Sequence, residues 1–248
     1  MSSKVSRRRF LENTGAVALL GAGTAVAANP APVKDAAPGP IKILGISCSP
    51  RKGKTTTTAL RICLDAVKAT ERRIEVELIE LAGLKIPGEV AAGVALAPGE
   101  RDDFPALAPK FSDPAVAGII LGTPVYFGNM SSLCKALLDR WIVFHKEKRL
   151  ADKVGGVLAV GGGRNCGLEL TIRSVQVALM AQQMIVVGDA PPTGHWGGTV
   201  WGGNPAVNRG PTPDITRDEE GIATVKNLGR HVAEIALRLR TPGQSNPS

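Results

Sequence analysis

Residues 47–56, Ser-Cys-Ser-Pro-Arg-Lys-Gly-Lys-Thr-Thr, crowd hydroxyls and cations between an apolar run, Ile41 to Ile46, and a stretch of helical spacing that starts at Thr55. Ser47, Ser49, Thr55 and Thr56 supply hydroxyls, Arg51 a guanidinium fork and Lys54 a point charge, and a helix start adds outward-facing backbone N–H groups. That set suits a phosphate. Gly53-Lys54-Thr55 imitates the end of a nucleoside-triphosphate loop, but Cys48 stands where that loop needs its first glycine. Such a site also wants an acidic strand end to organise Mg²⁺. The third apolar run instead ends in Gly122-Thr123-Pro124 and the fourth in Gly161-Gly162-Gly163. Taken alone, the loop is either a cradle for some other phosphate or a Ser/Thr-rich helix start with no ligand.

Two further segments carry chemistry. In GTPVYFGNMS (122–131), a rigid Thr-Pro turn precedes Val125, the aromatic pair Tyr126 and Phe127, then Gly128, Asn129 and Met130 ahead of a helix. This composition suits backbone amides lining the edge of a flat polar ring. In GGGRNCGLELT (161–171), Gly161, Gly162 and Gly163 let backbone approach a planar ligand closely, with Arg164 and Asn165 following.

These segments need a frame that brings them together. Apolar, β-rich runs occur at 41–47, 74–81, 116–122, 154–160 and 184–188, and helical spacing at 55–69, 104–112, 131–143, 167–183 and 219–240. Five strands alternating with helices predict an α/β fold with a parallel, doubly wound sheet. In such a sheet ligands bind beyond the carboxyl ends of the strands, where strand order reverses. Segments 82–103 and 189–217 are Gly/Pro-rich and too long for ordinary connections, which marks them as functional loops or oligomer contacts.

SCSPRKGKTT, DDFPAL, LGTPVYFGNMS, GGGRNCGLELT, MIVVG, DEEG and NLGRHVAEIALRL follow one another in an order that resembles the flavodoxin-like NAD(P)H-dependent FMN reductases, in particular the multimeric flavodoxin and iron–sulfur flavoprotein branch. The resemblance runs from Ile41 to Leu239. It implies strand order 2-1-3-4-5 and an FMN phosphate surrounded by Ser47, Ser49, Arg51, Lys54, Thr55 and Thr56. It further implies that Pro124 to Met130 run along the ribityl chain and ring edge, with Gly161 to Asn165 completing the ring pocket. Chemistry would then reside on FMN itself, with no catalytic side chain, NAD(P)H as donor and a small molecule as acceptor. Arg164 is placed where a positive group would stabilise reduced flavin. The second reading is an exported flavodoxin-type electron-transfer protein with no nicotinamide reaction.

The sequence departs from its iron–sulfur relatives at 86–93, Ile-Pro-Gly-Glu-Val-Ala-Ala-Gly, where those relatives carry a compact cysteine cluster. No iron–sulfur cluster and no other metal site is expected: Cys48, Cys63, Cys134 and Cys166 show no paired spacing and fall on different elements. Cys166 and Cys134 read as packing residues, and the lone His145 and His195 as surface or packing groups. Trp196 and Trp201 could cover a flavin or fill a subunit contact; the residues do not decide between these.

Residues 1–27 read as an export signal. Arg7, Arg8 and Arg9 precede a short Ala/Gly/Leu-rich stretch and the cleavage pattern Ala25-Val26-Ala27. At about 15 residues, that stretch falls short of the roughly 20 a membrane span needs. Twin-arginine export to the periplasm or another extracytoplasmic space follows, with a Pro/Ala-rich linker at 28–40, one domain at 41–240 and a disordered tail at 241–248. Of the formal +8, Lys4, Arg7, Arg8, Arg9 and Glu12 account for +3. The remainder is spread along the chain, and aromatics are only 4% of it, so no nucleic-acid surface is expected. Nor is membrane insertion of the mature chain; a homodimer or homotetramer is.

Overall fold

The computed structural model describes residues 41–203 and 214–240. The expected export signal, linker and tail lie outside them. Four strands, β1 (Ile41–Ser47), β2 (Ile74–Glu80), β3 (Val116–Pro124) and β4 (Val154–Gly161), are long; β5 (Ile185–Val186) and β6 (Gly198–Trp201) are short. The helices are α1 (Thr55–Thr70), α2 (Phe104–Ser112), α3 (Ser132–Arg140), α4 (Ile142–His145), α5 (Leu168–Ala181) and α6 (Glu219–Arg240). The sheet is parallel in the order β2-β1-β3-β4-β5, with β6 also on β4. This is the flavodoxin-like doubly wound arrangement expected from the sequence.

Both faces of the sheet are covered, so the central strands are apolar without alternation. Every residue of β3 and of β4 is buried. On one face, Leu60, Cys63 and Leu64 of α1 meet Val225, Leu228 and Val232 of α6 over Ile43, Ile120 and Leu158. On the other, α2, α3 and α5 cover Leu44, Leu121 and Val157 with Phe104, Phe111, Leu137, Ile172 and Leu179.

Two elements differ from the sequence reading. The fifth strand is split: β5 pairs with Val154 and Gly155, and β6 resumes beside Leu158 to Gly161. Between them the chain leaves the sheet and closes on the buried carboxylate of Asp189, which accepts from the Thr193 hydroxyl and the His195 N–H. The predicted helix 131–143 is broken at Trp141. That residue is fully buried with its ring 5.8 Å from Phe111, and the chain turns into the separate short α4 after it.

Candidate functional site

The loops after β1, β3 and β4 converge at the carboxyl edge of the sheet. The first is tied to the third strand's loop by Ser131, whose hydroxyl donates to the Cys48 carbonyl at 2.6 Å and accepts from the Cys134 N–H at 3.1 Å, capping α3. Thr123 Oγ1 takes the Ser131 N–H from below, at 3.1 Å. The loops after β3 and β4 touch backbone to backbone. A Cβ on Gly167, which has φ +93°, would lie 2.7 Å from the Gly128 Cα. Phe127 (φ 50°) and Gly128 (φ 75°) form a tight turn closed by reciprocal Tyr126 and Asn129 backbone bonds.

Two adjoining cavities open here. One, of about 260 Å³, is lined by Arg51, Thr55, Pro124, Val125, Tyr126, Gly161, Gly162 and Gly203. The other, of about 370 Å³, is lined by Arg51, Gly53, Lys54, Thr55, Thr58, Asp214 and Ile215. Arg51 and Thr55 border both. The N-terminus of α1 carries no side-chain cap and no acidic residue in its own first turn; the one carboxylate that reaches it there, Glu80 of β2, takes the Gly53 N–H and the Thr57 hydroxyl.

The structure brings eight of the eighteen predicted residues to these cavities. Arg51, Lys54, Thr55, Pro124, Val125, Tyr126, Gly161 and Gly162 line them. Ser49 is buried and shapes the loop, its hydroxyl accepting the Arg51 N–H at 3.1 Å. Ser47 and Thr56 are buried, and the Ser47 hydroxyl is engaged with Thr57 Oγ1 at 3.1 Å. Phe127 is fully exposed at the tip of its turn. Asn129 uses its side chain on the Met130 N–H, and Gly163 and Asn165 lie outside the cavity linings. Arg164 is not a free cation. Its guanidinium is held by Asp218 at 3.1 Å and Glu220 at 2.7 Å, and lies 6.0 Å from the Trp201 ring. Two carboxylates offset its charge, and its position braces the glycine-rich loop against α6.

Trp201 thereby belongs to the loop's support. Trp196 does not; it stands beside Arg173 of α5, 5.0 Å from guanidinium to ring, at the level of Val157 rather than at the strand ends. Cys166 presses against Gly161, where its sulfur would meet any Cβ. Cys48 and Cys134 are buried together; the hydrogen bond between them, and then burial, raise the Cys48 thiol well above its ordinary value. Burial pushes Cys63 up to about 12. Neither Cys48 nor Cys63 is a thiolate at neutral pH, which removes them as nucleophiles.

Sequence reasoning missed Ser131, Asp218, Asp214 and Glu80. Ser131 and Asp218 were legible as residues placed to cap the helices that follow them. Glu80 was hidden by its sign, since a phosphate loop calls for cations and Glu80 is its carboxylate neighbour.

A sequence model described as NADPH-dependent FMN reductase matches residues 41–197. An iron-sulfur flavoprotein of Methanocaldococcus jannaschii is 38% identical over 203 residues, covering 81% of this chain and all of that protein. An NAD(P)H dehydrogenase (quinone) of Paracoccus denitrificans is 33% identical over 163 residues, covering 62% of this chain and 78% of that one. Among solved structures, a WrbA-like flavodoxin from Agrobacterium tumefaciens superposes with a TM-score of 0.52 at 13% identity, over 81% of this chain and 99% of that chain.

Proposed function

The chain belongs to the NADPH-dependent FMN reductase family, and on that premise we propose that it holds FMN non-covalently in the paired cavities and uses it to oxidise NAD(P)H. It is an oxidoreductase. The observation that carries the proposal is the junction at Arg51 and Thr55, where a cavity walled by glycine, proline and Tyr126 meets one walled by Arg51, Lys54, two threonine hydroxyls and the start of α1, with Asp214 and Ile215 on its far side. A molecule with a flat ring at one end and a phosphate at the other fits that division.

In this reading Arg51, Lys54 and Thr55 hold the phosphate, and Ser49 fixes the turn that aims Arg51. Pro124, Val125 and Tyr126 border the ring with Gly161 and Gly162. Bound there, FMN would supply two-electron chemistry, taking hydride from NAD(P)H and passing reducing equivalents to a quinone, a flavin or another small acceptor. The protein's part is to bind, orient and exclude water. Purified protein should release FMN on denaturation and oxidise NAD(P)H in the presence of a quinone. Protein free of flavin that takes up none from solution would refute the assignment.

We propose further that no iron–sulfur cluster is bound. Cys63 lies on the α1/α6 face of the sheet and Cys48 and Cys134 on the other. Cys166 packs on the same face as Cys48 and Cys134, so all four thiolates cannot converge on one cluster without dismantling the core. Iron and sulfide analysis tests this. The twin-arginine pattern supports export to the periplasm with the cofactor bound, tested by changing Arg7 and Arg8 to Lys and following localisation. Exposed Ile142, Val143, Leu170, Val177 and Met180 support a homodimer or homotetramer, tested by light scattering.

A further inference from the structure

Glu80 and Ser47 are register partners at the last positions of β2 and β1. From there the Glu80 side chain crosses to the phosphate loop. Its Oε2 accepts the Gly53 N–H at 2.8 Å and the Thr57 hydroxyl at 3.0 Å, and Thr57 in turn meets the Ser47 hydroxyl at 3.1 Å. A chain of three polar groups thus runs from the strand end to the loop tip. Gly53 has φ +64° and nothing within 4 Å of a Cβ, so no packing holds it. The hydrogen bond to Glu80 is what holds this exposed glycine.

The placement is electrostatically costly for a site that takes an anion, because a carboxylate beside a phosphate repels it. The Arg61 guanidinium, 3.9 Å away and largely exposed, offsets little of that charge. A carboxylate kept there needs a compensating role, and its two bonds supply one. By consuming the Gly53 N–H and the Thr57 hydroxyl, Glu80 turns the loop so that Arg51, Lys54 and Thr55 face the cavities.

We propose that Glu80 is the positioning residue of the phosphate loop, setting discrimination between phosphorylated and unphosphorylated ligands without touching either. The claim about discrimination rests on the FMN assignment above; the claim about loop geometry does not. Two variants separate shape from charge. Glu80→Gln keeps an oxygen that can accept both bonds and removes the charge; Glu80→Ala removes both.

The experiment measures Gly53 amide exchange by NMR in the flavin-free protein, and FMN and riboflavin dissociation constants for wild type and both variants. Glu80→Ala should exchange Gly53 at least about tenfold faster and bind FMN about tenfold more weakly, with riboflavin unchanged. Glu80→Gln should keep the protection and bind FMN as tightly as wild type or more so. Unchanged exchange in Glu80→Ala, or equal loss of both ligands, overturns the proposal. If wild type binds no FMN, the flavin assignment falls, and the exchange pattern alone then upholds or overturns the pinning of Gly53.

Discussion

Ser131 Oγ lies 2.6 Å from the carbonyl oxygen of Cys48, joining two loops 83 residues apart in sequence. The same oxygen accepts the Cys134 N–H, so one hydroxyl both caps α3 and fixes the phosphate loop to the loop after β3. Both backbone partners are buried, and deleting the hydroxyl leaves them unsatisfied. Ser131→Ala should lose about 1–3 kcal/mol of stability by urea unfolding. It should also weaken FMN binding, because the two loops then move independently.

Gly167 tests the second junction. Its φ of +93° and the 2.7 Å separation from the Gly128 Cα both exclude a side chain. Gly167→Ala should cost more than about 1 kcal/mol and lower flavin affinity. Gly163, in the same loop with open space around it, is the control. Gly163→Ala should change neither quantity appreciably, and equal effects at the two positions would mean that the loop contact is unimportant.

Arg51 borders both cavities, and its loss should be read by the phosphate alone. Arg51→Ala should weaken FMN binding roughly 10- to 100-fold, as expected for a charge-assisted hydrogen bond, while riboflavin binding barely changes. Titration of each flavin by fluorescence quenching distinguishes this from a general loss of the pocket.

Much of this was legible in the sequence because it depends on local pattern. The runs 41–47 and 154–160 are short, apolar and bounded by turn residues, and they became β1 and β4 almost unaltered. Helix 219–240 was plain from its amphipathic spacing. β6 was not legible: Gly198–Trp201 is four residues inside a glycine-rich stretch, and it is a strand because the edge of β4 beyond Gly156 is otherwise unpaired. The break at Trp141 also follows from tertiary packing rather than spacing. Among the site residues, Arg51 and Thr55 were found because they are cations or hydroxyls beside a helix start. The pairing of Arg164 was not legible because Asp218 and Glu220, which hold it, are more than 50 residues away in sequence.

At the opposite end of the sheet, Lys153 donates to the carbonyls of Asp113 and Val116 at 2.8 and 2.7 Å. Burial, and then the nearby Arg240, lower its pKa from 10.5 to about 8. The folded protein therefore releases this proton near pH 8, while the unfolded chain holds it until about 10.5. Across that window the unfolded state binds more protons, so stability rises with pH. In Lys153→Met the rise should be absent, which urea unfolding at pH 7.5, 9 and 10 would read as a narrowing or reversal of the difference from wild type.

The function rests on FMN in the paired cavities exchanging electrons with a nicotinamide, and one measurement addresses both parts. Flavin-loaded protein is titrated anaerobically with NADPH, then NADH, then dithionite, while the flavin absorbance is followed. Bleaching complete at about one equivalent of NADPH or NADH per flavin is the predicted result, since each carries two electrons. A flavin that stays oxidised with both nucleotides and bleaches only with dithionite would contradict it, and would leave a carrier of electrons in place of a reductase.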